Sequence, residues 1–139
     1  MARAARGRTV LTPERVILDS GAVIAWSRGD VRTRATLQRA IELGLDIRVP
    51  VVVLAQTLRG SARDAPVNRV LKSVDVLATA EAVGRGAGRL LGRTSGDNVA
   101  DALVAAEAVE SGATTVLTSD PEDLAALLTD RPEIAIRRV

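Results

Sequence analysis

The chain of 139 residues has no His, Cys or Tyr, and those absences decide which chemistry is open to it. A Ser-His-Asp triad, a thiolate nucleophile, a soft zinc site and a phenolic acid are all excluded. Carboxylates remain, and the partner that extends their reach is a hard, oxygen-preferring cation. Three acids occupy telling places. Asp19 follows the apolar run Val16-Ile17-Leu18, Asp120 follows the run "TVLTS", and Asp101 lies among Val99, Ala100, Ala102, Leu103 and Val104. A lone carboxylate in apolar surroundings needs a partner. Asp97 stands four residues before Asp101. On one helix the two would lie on the same face, where like charges cost about a few tenths of a kcal/mol.

Simpler roles compete for the same acids. Asp19 or Ser20 can cap a helix starting near Gly21, for about 1 kcal/mol. Asp120, followed by Pro121, Glu122 and Asp123, has the pattern of an N-cap with proline at the first helical position and an acid in the capping-box place. For Asp97, Ser95 is the cap and the positive end of the helix dipole offsets the charge. Capping and cation binding are compatible, since one carboxylate oxygen can cap while the other faces outward.

The elements that would position these acids alternate along the chain. Short β-branched runs predict strands at 15–18, 46–49, 74–78, 115–118 and 134–137. Longer periodic stretches predict helices at 21–28, 31–44, 51–59, 66–73, 80–92, 97–111 and 121–129. In helix 51–59 the apolar face is Val51, Leu54, Ala55 and Leu58, with Pro50 as first residue and with Gln56 and Arg59 sharing the other face. Such alternation is the signature of an α/β fold, a parallel sheet of four to five strands covered by helices on both faces. Right-handed crossovers then bring all strand C-termini to one edge, where ligands bind. Asp19 and Asp120 arrive at that edge from distant parts of the chain.

Length and a 47% hydrophobic content fit one domain. Residues 1–12, with Arg3, Arg6 and Arg8 and no acid, read as a basic flexible tail, which leaves 13–139 as the domain. No run nears the roughly 18 apolar residues of a membrane span, and no signal-type stretch opens the chain, so a soluble, cytoplasmic protein with no membrane partner is expected. Charge is segregated. Residues 51–96 carry seven bases and three acids, and residues 97–133 carry nine acids against Arg131 alone. A basic middle beside an acidic third can hold a polyanion next to a cation site, or can be ordinary solvated helix faces. Trp26 is the only aromatic, so stacking platforms for single-stranded RNA are missing and Trp26 is expected in the core or at a partner interface.

"VILDSGAVIAW", "VPVVVLAQTLRG" and "DNVADALVAAEAVESGATTVLTSDPEDL" resemble, in order, the segments of a PIN domain, especially the toxin nucleases of VapC type. The resemblance runs from about Val16 to the end. It implies a three-layer α/β/α sandwich, RNA hydrolysis with Mg²⁺ or Mn²⁺, a cognate antitoxin and a homodimer. Carried over by position, it makes Asp19, Asp101 and Asp120 the metal-holding acids, with Asp97 and Asp123 as accessory acids and Ser20 and Thr118 as polar rim groups. Gln56 stands where most relatives have Glu, and Asp97 is the acid placed to restore the missing charge. Arg59 is the group assigned to grip phosphate. Two other readings stay open: a PIN-fold protein that binds RNA or a partner but cleaves poorly, and a phosphatase with Asp19 as nucleophile. The second normally needs an acid at the position held by Gly21.

Overall fold

The computed structural model describes residues 13–139; the basic tail, 1–12, lies outside them. Five strands form one parallel sheet: β1 (Arg15–Leu18), β2 (Asp46–Pro50), β3 (Asp75–Leu77), β4 (Thr115–Thr118) and β5 (Ala135–Arg138), in the order β3-β2-β1-β4-β5. The helices are α1 (Ser20–Ser27), α2 (Val31–Glu42), α3 (Val51–Thr57), α4 (Ala65–Leu71), α5 (Glu81–Thr94), α6 (Val99–Glu110) and α7 (Pro121–Leu127), with a short 3-10 turn at Ala62–Asp64. From β1 the chain moves outward through β2 to β3, then returns to start β4 on the other side of β1. With right-handed crossovers this reversal puts α1 to α4 on one face and α5 to α7 on the other. The helix contacts agree: α1 packs on α2, α3 and α4, while α5, α6 and α7 pack on one another.

The central strands β1 and β4 bury Ile17, Leu18 and Val116 completely or nearly so. Each such residue contributes about 1.5–3 kcal/mol of burial. Covered on both faces, these strands read as continuous apolar runs rather than alternating ones. The buried side of α6 carries Ala102, Ala105, Ala106 and Ala108, side chains small enough to let the helix backbone come close to its neighbours.

Several expected boundaries shift. Pro50 ends β2 and caps α3 instead of opening it. In α3 the fully buried residue is Val53, while Val51 and Ala55 face solvent. A run of three valines does not fix the phase of so short a helix; the direction in which β2 leaves the sheet does. The helix expected at 97–111 starts at Val99, capped by Asn98, whose side chain accepts from the Asp101 N–H at 3.0 Å. Ser95, expected as that cap, instead ends α5 in the left-handed conformation at φ 54°.

At the amino-terminal edge of the sheet, acids are matched by bases. Asp46 accepts from Arg48 at 2.6 Å and from Arg15 at 2.9 Å. The Arg48 hydrogen bond outweighs burial and, with Arg15, holds the Asp46 carboxyl below its ordinary range. Glu107, on α6 near the same edge, is the exception. It is 6% exposed and its Oε1 has no hydrogen-bond partner. Burial pushes its carboxyl up, against the pull of Arg15 and with the push of Glu110. An acid whose folded-state pKa is raised destabilises the fold when ionised. That penalty is absent below the unfolded value of about 4.3 and grows as pH rises toward the folded value. Glu107→Gln should therefore raise the thermal unfolding midpoint at pH 7, with the gain shrinking toward pH 4. A lower midpoint at pH 7, measured by calorimetry, would mean that the attraction of Arg15 exceeds the burial cost.

Candidate active site

The carboxyl-terminal edge has the opposite electrostatic character. Adjacent parallel strands β1 and β4 pair Leu18 with Leu117, and the Asp19 N–H donates to the Leu117 carbonyl at 3.1 Å. The point where the strand order reverses therefore lies between the residues that follow these two strands, where α/β sheets open a crevice. Asp19 is 8% exposed and caps α1, with Oδ1 accepting from the Ala22 N–H at 3.0 Å. The fully buried Thr118 sits under both acids. Its hydroxyl accepts from the Asp120 N–H at 2.9 Å and also supports the Asp19 carboxyl.

Burial is the largest influence on Asp19 and drives its carboxyl above the ordinary range, with Asp120 adding repulsion; hydrogen bonds from Thr118, Ala22 and Gly21 only partly oppose this. Asp101, in the first turn of α6, is raised by burial first and then by Asp123, Asp19 and Asp120. Acids from β1 and the β4–α7 segment therefore bear on Asp101, and Asp120 bears on Asp19, while no base is among the groups acting on Asp19 or Asp101.

Asp120 takes the N-cap position of α7 without a side-chain capping bond. The capping-box expectation for it fails, and its carboxylate is left for the crevice. Asp97 precedes α6 and does not stack on Asp101 within the helix. It lines a cleft of about 320 Å³ together with Asn98, Asp101 and Asp123. Among the acids acting on Asp101, Asp123 ranks first and Asp97 does not figure, so the stronger accessory acid is the one on α7. Nothing local in the sequence ranks them; the packing of α7 on α6 does.

Ser20 is half-buried as the first residue of α1, at the rim. Thr118 is not a rim group, because its side chain is wholly enclosed. Gln56 is half-buried on α3, which packs on both α1 and α6. Arg59 does not share a helix face with Gln56, because α3 ends at Thr57 and Leu58 is extended. Its guanidinium donates to the Ala55 and Leu58 carbonyls at 2.9 and 2.8 Å, and its backbone N–H donates to Asp64 at 2.9 Å. Asp64 is the functional-looking acid whose task is structural. Burial pushes its carboxyl up, but N–H donors from Arg59, Gly60 and Ser61 hold it below the ordinary range. Trp26 is partly buried against the core and lines a separate surface hollow with Val31 and Ile41. The cavity lined by Arg89, Arg93 and Arg131 together with Glu110 and Asp130 shares no residue with Asp19, Asp101, Asp120 and Asp123.

Carboxylate oxygens, which Asp19, Asp101, Asp120 and Asp123 supply, are the donor type that suits a hard divalent cation. Among the described residues, no three acidic groups lie close enough to form a single coordination sphere. The acids stand at electrostatic rather than ligating distance. No helix among the described residues is long and apolar enough to cross a membrane.

Solved structures similar to this chain include VapBC2 from Rickettsia felis bound to a promoter DNA fragment, at 14% identity and TM-score 0.72, covering 90% of this chain and 98% of that one. A toxin–antitoxin complex from Klebsiella pneumoniae is similar at 12% identity and TM-score 0.66, covering 86% and 95%. VapBC-5 from Mycobacterium tuberculosis is similar at 22% identity and TM-score 0.57, covering 91% and 100%. At these identities the likeness establishes the α/β/α fold alone. No curated protein matches the chain. The model of the PIN domain matches residues 16–127, which reach from β1 through α7 and include Asp19, Asp97, Asp101, Asp120 and Asp123, and the chain belongs to the PIN domain family.

Proposed function

We propose that this protein is a metal-dependent endoribonuclease of the VapC type, the toxin of a toxin–antitoxin pair. The observation that carries this reading is the gathering of acids at the sheet's reversal point: Asp19 and Asp120 follow the paired ends of β1 and β4, Asp101 and Asp123 line one cleft, and no base is among the groups acting on Asp19 or Asp101. Family membership and toxin–antitoxin complexes among the structural neighbours support it. A cognate antitoxin protein and a second copy of this chain are the partners proposed with it.

A Mg²⁺ or Mn²⁺ ion bound here would neutralise phosphate charge and lower the pKa of water. The residues have separate tasks. Asp19 has Oδ1 tied to the Ala22 N–H, and the buried Thr118 supports the same carboxyl. Thr118 holds the Asp120 backbone, and Asn98 holds the first turn that carries Asp101. Those three carboxylates are the proposed ligands, with Gln56, Asp97 and Asp123 beside them, and Ser20 meets substrate at the rim. Phosphate contact by Arg59 would require its guanidinium to leave the Ala55 and Leu58 carbonyls.

The rival reading, a PIN fold that binds RNA but turns it over poorly, draws on two facts. Gln56 brings no charge, and among the described residues no three acids share one coordination sphere. Calorimetric Mn²⁺ titration followed by RNA cleavage, with and without EDTA, separates the two. EDTA-sensitive cleavage establishes the nuclease, and RNA binding without cleavage at any Mn²⁺ concentration establishes the rival.

Asp101→Asn should reduce cleavage by about a hundredfold or more while leaving the protein folded. Because burial and three acids raise the Asp101 carboxyl, its ionised form opposes folding at neutral pH, and the amide should raise the unfolding midpoint in EDTA. Full activity in that variant would remove Asp101 from the site. Gln56→Glu adds a charge where the second acid is missing and should strengthen Mn²⁺ binding and speed cleavage. Unaltered affinity in the titration would place residue 56 outside the site.

A further inference from the structure

Gly21 lies in the first turn of α1, two residues after Asp19. Glycine is the least favourable residue but proline in a helix, and Gly21 is not one of the glycines with positive φ, so backbone freedom does not account for it. Space does. A Cβ at this position would collide with the Ser119 hydroxyl oxygen, lie 2.6 Å from the Ser119 Cβ and lie 3.1 Å from the Ser119 backbone nitrogen. Rotating the hydroxyl away would leave the other two contacts, so the backbone itself would have to move.

That backbone is held from the other side. The Ser119 carbonyl accepts from the Arg138 guanidinium at 2.9 Å, and the same guanidinium reaches Glu122 at 3.3 Å. Asp120 follows directly, tied through its N–H to Thr118. A displaced Ser119 therefore carries Asp120 with it, away from Asp19.

We propose that Gly21 is a positioning residue: its bare Cα lets Ser119 pack against the first turn of α1 and so fixes the Asp120 carboxylate beside Asp19. This rests on the nuclease reading for its consequence, but the packing is testable without it. In a Mn²⁺ titration, Gly21→Ala weakens binding by about tenfold or more and slows RNA cleavage in parallel. Gly21→Ala combined with Ser119→Gly, which removes the opposing side chain, recovers most of both, whereas a general loss of helix packing would not be rescued from position 119. In EDTA, Gly21→Ala lowers the unfolding midpoint and the second change restores it.

Mn²⁺ affinity equal to that of the unaltered protein in folded Gly21→Ala overturns the proposal, as does a folded double variant that stays impaired. If Gly21→Ala alone does not fold, the double variant decides by the same criterion. Should the unaltered protein bind no Mn²⁺, the nuclease reading fails by itself. The crystal structure of Gly21→Ala, or of the double variant if the single does not fold, then decides the positioning role. Ser119 and Asp120 shifted from Asp19 in Gly21→Ala, or back in place in the double variant, supports it; an unmoved Asp120 in the first or a displaced one in the second overturns it.

Discussion

Holding several carboxylates together without a counter-cation is the constraint on which the rest of this molecule turns. In a partly desolvated crevice, like charges repel far more strongly than in bulk water, and left to themselves Asp19, Asp101, Asp120 and Asp123 would separate. The fold opposes this with neutral donors and rigid backbone. Asp19 is fixed by the register of β1 and β4 and by the Ala22 N–H. Asp120 is fixed through a buried threonine and Asp101 through the Asn98 cap. None of these donors carries positive charge, so the negative field survives.

The two edges of the sheet show that this is local. Asp46, at the start of β2, is answered by Arg15 and Arg48, and the outer helices carry ordinary exposed pairs such as Arg85 with Glu81. Arginine is abundant and only four of the 139 residues are carboxylates of the crevice group, so a base could readily have been placed there. Instead, no base acts on Asp19 or Asp101, whose carboxyls sit above the ordinary range, and the nearby Arg138 guanidinium is engaged by the Ser119 carbonyl and Glu122. Local rules broken at one place and obeyed elsewhere mark a site held for something other than stability.

Much of the architecture was legible in the sequence. The strands at 15–18 and 115–118 match residue for residue, because a strand buried on both faces leaves an apolar run with few alternatives. Asp19, Asp101 and Asp120 stood out for being acids where apolar runs end or continue. What stayed hidden depends on long-range packing. Ser95, Asp97 and Asn98 are all competent caps, and Asn98 prevails because α5 continues to Thr94. Thr118 reads as a rim hydroxyl, yet in the fold it is wholly enclosed and bonded to the Asp120 N–H. The close approach of Gly21 and Ser119 joins residues nearly a hundred positions apart, and no local pattern encodes it.

The same packing bears on the charge that Gln56 lacks. Sequence spacing points to Asp97 as its replacement, since four residues before Asp101 is one helical turn. That turn does not exist, because α6 begins at Val99. Asp123 instead lies in the first turn of α7, where the helix dipole favours an anion, and it is the foremost acid acting on Asp101. An acid supplied by α7 comes from the β4 side, whereas α3, which carries residue 56, follows β2. On the proposed reading, the cation's negative field is thereby shifted across the sheet toward β4 and β5. The neutral amide on α3 also lowers the repulsion that the crevice must withstand when no cation is bound.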